Sequence, residues 1–377
     1  MGNNPVTPNP HFDFSVLRRF SPSVLPSQEQ EESAPKGGDL HKISLKLVAY
    51  VRPKLDYSPV SPVEVTIIHI DRAKLLTTYQ TLEVFVSSLR YNRYNHSLIA
   101  YTPEKKLEVY LMRGKGSVHR QITLPKHTGL SIPKIACMSA NQLAVLFSTE
   151  RSKVNPGFYI INSTTEEHDF IAYPNKTKTF GYLEATKNST IVLQGAKKGG
   201  ESFIVLYSYK TKQWLKELRA SMWSSIQKVF PSSASNQFIV LQESLLRTHL
   251  VGYYVNDRGR VSKLYEFEIQ DVSDVVAIEQ MSRNFLLARC TASRFNAPDV
   301  ERILLINPRR EEVYSTSIQE GASSVLGRDW ICNLEKNELN VIKVPSEIYR
   351  LNDSLKAPSN ENHQDDCGPV SVVCRVL

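Results

Sequence analysis

The segment from Phe158 to Tyr173 decides the fold class. Its first apolar run is Phe158-Tyr-Ile-Ile, its second is His168-Asp-Phe-Ile-Ala-Tyr, and the polar turn Asn162-Ser-Thr-Thr-Glu-Glu joins them. Short runs rich in β-branched and aromatic residues, bounded by turn-forming residues, are typical of antiparallel β-hairpins. The same plan returns at Arg302-Ile-Leu-Leu-Ile and Glu312-Val-Tyr-Ser-Thr. We therefore predict an all-β chain.

A related apolar run precedes this hairpin and occurs seven times along the chain. The starts of successive copies are separated by 51, 45, 48, 48, 47 and 45 residues. The seven runs are Leu47-Val-Ala-Tyr-Val, Leu98-Ile-Ala-Tyr-Thr, Leu143-Ala-Val-Leu-Phe, Ile191-Val-Leu-Gln-Gly, Ile239-Val-Leu-Gln-Glu, Leu286-Leu-Ala-Arg-Cys and Ile331-Cys-Asn-Leu-Glu. A shorter apolar segment precedes each run, and for most copies two further strands follow. Four strands in each unit of this length are typical of a β-propeller blade.

Two β-sandwiches are the alternative for a chain of 377 residues. The strands of a β-sandwich have no reason to recur in groups of four at a nearly constant spacing. A propeller needs the repeat, because each twisted sheet covers the faces of its neighbours. We predict one seven-bladed β-propeller of four-stranded antiparallel blades, spanning residues 40–349.

The seventh unit is short, because Leu339-Asn-Val-Ile-Lys-Val is followed by Pro345 and a polar tail. An incomplete last blade leaves a strand edge open unless a terminus supplies the missing strand. Segments 11–17 and 369–376 are both candidates, and we favour the first. Residues 1–39 are then an N-terminal segment with a closing strand and a flexible linker, and 350–377 are a flexible C-terminal tail.

The fourth unit has a more specific signature. It contains Ile191-Val-Leu-Gln-Gly, the pair Gly199-Gly200, and Tyr207-Ser-Tyr-Lys-Thr-Lys-Gln-Trp214. This unit resembles a Kelch blade, or the related repeat of F-box-associated propellers. The resemblance implies that Tyr207 and Trp214 pack between adjacent blades. It covers one unit closely and the others only in outline.

Composition places the chain among globular proteins of a reducing compartment. It has 41% hydrophobic residues, five cysteines in an unpaired pattern, and no apolar run long enough to cross a membrane. The N-terminus has no apolar signal segment. We expect a cytoplasmic or nuclear protein that is a monomer.

No catalytic, metal-binding or cofactor motif stands out in the sequence. The segment Glu166-Glu167-His168-Asp169 is the densest ionisable group, but neighbouring residues on a strand point to opposite faces and cannot converge on one ion. We therefore predict a non-enzymatic interaction scaffold. The alternative is a propeller enzyme of hydrolase or lyase type, with single residues from separate blades meeting at the central channel.

The formal net charge is +8, and basic residues recur at equivalent turns of successive units. The predicted partner-binding residues are Lys210, Lys212, Arg258, Arg260, Arg309 and Arg310. They would give one side of the ring a positive field and attract an acidic protein. Nucleic acid is a weaker expectation, since no aromatic residues for base stacking accompany them. The alternative is that these side chains only keep the turns soluble.

The last four residues, Cys374-Arg-Val-Leu377, fit the C-a-a-X pattern of prenylation. A terminal leucine in this pattern indicates a geranylgeranyl group. A third hypothesis is therefore a peripheral membrane protein anchored through Cys374.

Overall fold

The computed structural model describes residues 16–20 and 39–343, apart from short stretches between them. The stretches left out are 45–46, 52–62, 72–73, 112–117, 126–131, 148–155, 176–177, 188–189, 198–199, 221–223, 232–235, 245–246, 257, 270–273, 281–284, 295–296, 309, 318–322, 327–329 and 336–337. No helix among the described residues is long and apolar enough to cross a membrane.

The described strands form four-stranded antiparallel sheets, which we number 1 to 7 in chain order. Sheet 1 contains β2 (Asp39–Lys42), β3 (Leu47–Val51), β4 (Val63–Asp71) and β5 (Lys74–Val84). Sheet 2 contains β6 (Arg90–Asn92), β7 (Ser97–Tyr101), β8 (Lys106–Leu111) and β9 (Val118–Thr123). Sheet 3 contains β10 (Lys134–Cys137), β11 (Gln142–Leu146), β12 (Gly157–Asn162) and β13 (His168–Ala172).

Sheets 4 to 6 repeat this order. Sheet 4 contains β14 (Lys178–Ala185), β15 (Thr190–Lys197), β16 (Ser202–Ser208) and β17 (Gln213–Arg219). Sheet 5 contains β18 (Ser224–Pro231), β19 (Gln237–Ser244), β20 (Arg247–Val255) and β21 (Val261–Ile269). Sheet 6 contains β22 (Asp274–Gln280), β23 (Leu286–Arg294), β24 (Ala297–Asn307) and β25 (Glu312–Ser317).

Sheet 7 combines strands from both ends of the chain. It contains β26 (Ser323–Leu326), β27 (Trp330–Glu335) and β28 (Glu338–Lys343), and its fourth strand is β1 (Val16–Phe20), which pairs antiparallel with β28. The N-terminal strand is thus found at 16–20, whereas the sequence favoured 11–17. Residues 11–15 and the alternative segment 369–376 lie outside the described residues.

The seven recurring runs form the second strands of the seven sheets. Each is paired on one side with the short first strand and on the other side with the third. We call the first strands, namely β2, β6, β10, β14, β18, β22 and β26, the inner strands. Most of them contact the inner strand of the next sheet; β10, for example, contacts both β6 and β14.

Burial on two faces explains why the runs are apolar throughout instead of alternating. On β11, Leu143 and Val145 pack against sheet 2, whereas Ala144 and Leu146 pack against sheet 4. On β15, Ile191 faces sheet 3 and Val192 faces sheet 5. Such strands bury both sets of side chains and therefore lack a polar face.

The aromatic pair singled out in the fourth unit packs between two sheets. The Trp214 ring lies 5.1 Å from Tyr207 in its own sheet, and 4.8 Å from Tyr173 and 5.9 Å from Phe158 in sheet 3, measured between ring centroids. Its indole N–H donates a hydrogen bond to the carbonyl of Ala172 at 3.1 Å. This is the contact that the resemblance implies, although membership of the Kelch family stays a prediction.

Candidate binding face and inner-strand site

The predicted basic residues lie in the turns that join the third and fourth strands of sheets 4, 5 and 6. These turns are closed by the pairs Ser208–Gln213, Val255–Val261 and Asn307–Glu312. The residues with exposed side chains are Lys210, Lys212, Arg258, Arg260 and Arg310. Arg309 lies outside the described residues. Equivalent turns of successive sheets place these cations at the same end of the strands.

Two of these turns are in direct contact. Gly259, between Arg258 and Arg260, lies against the side chain of Leu215 in sheet 4, at 2.9 Å from the position that a Cβ would occupy. Gly259 has a φ of 78°, a region that favours glycine. Because Leu215 comes three residues after Lys212, the turns of sheets 4 and 5 are neighbours on the surface.

Local side-chain contacts are made within both turns. The side-chain oxygen of Asn256 accepts hydrogen bonds from the backbone N–H groups of Arg258 and Arg260, at 3.0 and 2.9 Å. The ammonium group of Lys212 lies 3.8 Å from the centre of the Tyr209 ring, a cation–π contact. These contacts stabilise the turns that carry the exposed cationic side chains.

The equivalent turn of sheet 3 has the opposite charge. It presents Glu166 and Glu167, both exposed, and Arg120 of sheet 2 donates hydrogen bonds to the backbone carbonyls of Ser163 and Thr164 at 2.6 and 2.7 Å. His168 and Asp169 are exposed as well. The described part of the chain contains no group of three or more His, Cys, Asp or Glu side chains that could hold a metal ion.

A second group of charged side chains lies on the inner strands. Lys42, Arg90, Glu184 and Glu279 each pair with the second residue of their recurring run, so they lie at the same level of four sheets. Lys42 and Glu279 form an ion pair between sheets 1 and 6, with only 28% and 12% of their side chains exposed. A further ion pair, between Lys228 and Asp274 at 2.9 Å, joins the inner strands of sheets 5 and 6.

Arg90 links sheets 2 and 3. Its Nε donates to the carbonyl of Ile135 at 3.0 Å, and its Nη1 donates to the carbonyls of Leu89 and Ser87 at 2.7 and 3.3 Å. These bonds hold the guanidinium group against β10. The carbonyl acceptors are neutral and do not cancel the positive charge of Arg90. That charge therefore affects the pKa values of ionisable groups around it.

The pKa values of these neighbours are shifted chiefly by burial. Burial raises the pKa of Glu184, and the positive charges of Arg90 and Arg93 offset part of that rise. Burial also raises the pKa of Tyr182 well above its usual value. The pKa of Lys134 is lowered by burial and by the like charge of Arg90. Ionisable side chains with shifted pKa values often occur at functional sites.

The three cysteines of the described strands have raised pKa values, which disfavours the reactive thiolate form. Burial raises the pKa of Cys137 and of Cys290 to about 12, and it also raises the pKa of Cys332. All three are free thiols. Cys374, the proposed lipidation site, lies outside the described residues.

Sequence reasoning identified the turns but missed the inner-strand group. Arg90, Lys134 and Glu184 are isolated charges separated by 44 and 50 residues, and no local motif connects them. Arg90 and Glu184 each pair with the second residue of a recurring run, so the repeat contains a signal that relates these two residues. Using that signal requires knowledge of how each inner strand pairs with its run.

Comparison with solved structures supports a β-propeller fold. Similar chains include the β-propeller domain of Myceliophteria thermophila Cps50 (Swd1), with a TM-score of 0.54 over 83% of this chain and 98% of that one. The Dos1 propeller gives a TM-score of 0.51 over 82% and 94%. Kuenenia stuttgartiensis hydrazine synthase gives 0.54 over 85% and 99%.

Sequence identity to each of the three is 10%, so the likeness concerns the fold alone. No protein-family model matches the sequence. No curated protein sequence matches it either.

Proposed function

We propose that the chain is a seven-bladed propeller that serves as a non-enzymatic scaffold and binds an acidic partner protein through one face. The proposal rests on one observation: three successive sheets present exposed cations at equivalent turns. Propellers concentrate ligand contacts in the loops of their two faces. A cytoplasmic or nuclear location and a monomeric state belong to the same proposal.

Ring closure is part of this proposal. In it, β1 completes the seventh blade, and the last blade packs on the first. Its support is the pairing of β1 with β28 and the contacts of β2 with β26 and β27. The ion pair between Lys42 and Glu279 further connects sheet 1 to sheet 6. A closed ring gives the turns of sheets 4 to 6 fixed relative positions, which a charge-selective binding face requires.

The test is an affinity pull-down that compares two charge reversals. The first variant is Arg258→Glu with Arg260→Glu. The matched control is Arg219→Glu with Arg247→Glu, in which two exposed arginines of sheets 4 and 5 change at the opposite end of the strands. Partners recovered with wild type should be lost with the first variant and retained with the control, and the interaction should weaken with added salt.

An identical set of partners for the wild type and the Arg258/Arg260 variant would overturn the proposed face. Equal loss from both variants would show a general charge effect and would also overturn it. Because the two variants change the net charge equally, non-specific electrostatic attraction cannot account for a difference between them.

A propeller enzyme of hydrolase or lyase type is the second candidate. The observation that favours it is the half-buried carboxyl of Glu184 on an inner strand, since burial raises the pKa of Glu184 and makes it more available as a proton donor. Its test is a screen of ester and phosphoester hydrolysis with wild type and Glu184→Gln. Activity lost in the variant would support an enzyme, and no activity in wild type would count against one.

A lipid anchor at Cys374 is an independent proposal that rests on the C-a-a-X pattern alone. Intact-mass measurement of the chain expressed in a eukaryotic host tests it, with Cys374→Ser as the control. An unmodified wild-type mass would remove the proposal.

A further inference from the structure

We infer that Tyr94 is an anchor residue on the face that carries the basic turns, and that it binds an aromatic side chain within an acidic segment of a partner protein. The inference rests on the proposed scaffold function and adds a recognition residue to it. Tyr94 lies in the turn between β6 and β7, the inner and second strands of sheet 2. It is among the large apolar residues that the described part of the chain exposes, as are Phe170 and Val276.

Tyr94 lies at the same end of the strands as the basic turns. In a four-stranded antiparallel sheet, the turn after the first strand and the turn after the third strand are at one end. The Tyr94 hydroxyl donates a hydrogen bond at 3.4 Å to the backbone carbonyl of Lys187, in the turn after the inner strand of sheet 4. The basic turn with Lys210 and Lys212 follows the third strand of that sheet. Both turns therefore belong to one face.

Hydrogen bonds through sheet 3 connect the turn of sheet 2 with the basic turn of sheet 4. The side-chain Nδ2 of Asn95 donates to the carbonyl of Ala140, in sheet 3, at 2.7 Å. Two residues further on, the Gln142 side chain donates to the hydroxyl of Tyr209 in the basic turn. The ring of Tyr209 also carries the ammonium group of Lys212. The surface is thus continuous across three sheets.

The conformation of Tyr94 is fixed by its neighbours. The buried Asn92 accepts a hydrogen bond from the backbone N–H of Tyr94 at 3.0 Å. Its Nδ2 donates to the carbonyls of Ser139 and Ala140 at 3.0 and 3.2 Å. The guanidinium group of Arg93 lies 4.9 Å from the centre of the Tyr94 ring and donates to its hydroxyl at 2.9 Å. A side chain held in this way loses little conformational entropy on binding.

The surroundings of Tyr94 indicate the chemistry of the partner. Tyrosine and arginine are enriched among the residues that dominate binding energy at protein interfaces. Arg93 covers one face of the Tyr94 ring, and Tyr94 is 39% exposed, so an aromatic side chain of the partner can pack against the remaining ring surface. Lys187, whose carbonyl accepts from Tyr94, is an exposed basic residue. An aromatic residue flanked by acidic ones matches this arrangement.

The acidic turn of sheet 3 sets the direction of approach. Glu166 and Glu167 are exposed in the turn after the third strand of that sheet, at the same end as Tyr94. They repel an acidic segment, whereas Arg258 and Arg260 of sheet 5 attract it. The acidic segment therefore reaches Tyr94 over sheets 4 and 5.

The test measures binding of two fluorescently labelled peptides to the full chain by fluorescence polarisation. Both peptides contain the same ten acidic residues; the first has two glycines at its centre and the second has two phenylalanines there. Wild type should bind the phenylalanine peptide about tenfold more tightly, the size of a strong interface contact. Tyr94→Ala should bind both peptides equally. Tyr94→Phe keeps the ring and should keep most of the preference.

Two control variants separate the anchor from general effects. Phe170→Ala removes an aromatic residue of equal exposure, 39%, from the outer strand β13 and should leave the tenfold preference unchanged. Arg258→Gln with Arg260→Gln should weaken binding of both peptides alike and keep the ratio. Thermal unfolding of Tyr94→Ala should stay near the wild-type temperature, because the Asn92 side chain still holds the turn to sheet 3.

A preference for the phenylalanine peptide that survives in Tyr94→Ala would overturn the inference. Wild type that binds the two peptides equally, or binds neither, would overturn it as well, and the pull-down with Arg258→Glu and Arg260→Glu would still test the scaffold proposal. If instead the Arg258→Gln and Arg260→Gln variant binds both peptides as tightly as wild type, the proposed role of the basic turns fails. Loss of the preference in Tyr94→Ala would then still support the anchor.

Discussion

Trp214 shows how one side chain can join two sheets of the propeller. Its ring meets Tyr173 and Phe158 edge-on, at interplanar angles of 80° and 86°, and its indole N–H reaches the carbonyl of Ala172. Edge-to-face aromatic pairs add to the free energy gained from burying the rings. The hydrogen bond fixes the rotation of the indole, so sheet 4 has one preferred position against sheet 3.

We predict that Trp214→Ala lowers the free energy of unfolding by about 2 kcal/mol, less than for a fully buried tryptophan because the ring is half-buried. Trp214→Phe, the control, keeps an aromatic ring and loses the hydrogen bond, for a loss of about 1 kcal/mol. Urea unfolding followed by circular dichroism measures both. An alanine variant as stable as the phenylalanine variant would contradict the inter-sheet role of the ring.

At the scale of the element, the strands were predictable because their chemistry repeats. Runs such as Leu143-Ala-Val-Leu-Phe and Ile191-Val-Leu-Gln-Gly are buried between two neighbouring sheets, so their apolar character is strong enough to read without an alignment. The N-terminal strand was harder to place. In Val16–Phe20, Arg18 and Arg19 interrupt the apolar pattern, and among the described strands it pairs with β28 alone.

The candidate sites divide in the same way. The basic turns were predictable, since turn residues and charge are local properties of the sequence. The group around Arg90 was not, because it depends on which inner-strand residues share a level. That level is set by the pairing of Arg90 with Ile99 and of Glu184 with Val192, and no local spacing specifies either.

Strand pairing also creates a specific demand for glycine in sheet 5. Gly252 on β20 is paired with Tyr265 on β21, and a Cβ added at Gly252 would overlap the tyrosine ring. The ring therefore covers the backbone of the facing strand. Gly181 on β14 has no such close contact, because a Cβ added there would meet nothing within 4 Å.

We predict that Gly252→Ala destabilises the chain by about 1–3 kcal/mol, because the Tyr265 ring must move. In a Tyr265→Ala background the same substitution should be neutral or slightly stabilising, which a double-mutant cycle in urea would detect. Gly181→Ala is the matched control and should be neutral or slightly stabilising. An equal loss at Gly252 with and without the Tyr265 ring would exclude the ring as the cause.

At the scale of the whole molecule, sheet 7 depends on residues from both ends of the chain. Three of its strands lie at 323–343, and the fourth lies at 16–20. Sheet 7 in turn contacts sheet 1 through β26 and β27, which lie beside β2. Without β1, β28 would have an unpaired edge, and exposed strand edges promote association between chains.

We predict that deleting residues 1–20 lowers the thermal unfolding temperature by several degrees and produces dimers or larger species, because β28 loses its partner. Deleting residues 1–14 keeps β1 and serves as the control. Calorimetry and light scattering after size-exclusion chromatography measure the two effects. A synthetic peptide of residues 14–22 should restore the unfolding temperature of the shorter chain by adding the missing strand. A deletion of 1–20 that stays monomeric and as stable as the control would show that β1 does not close the propeller.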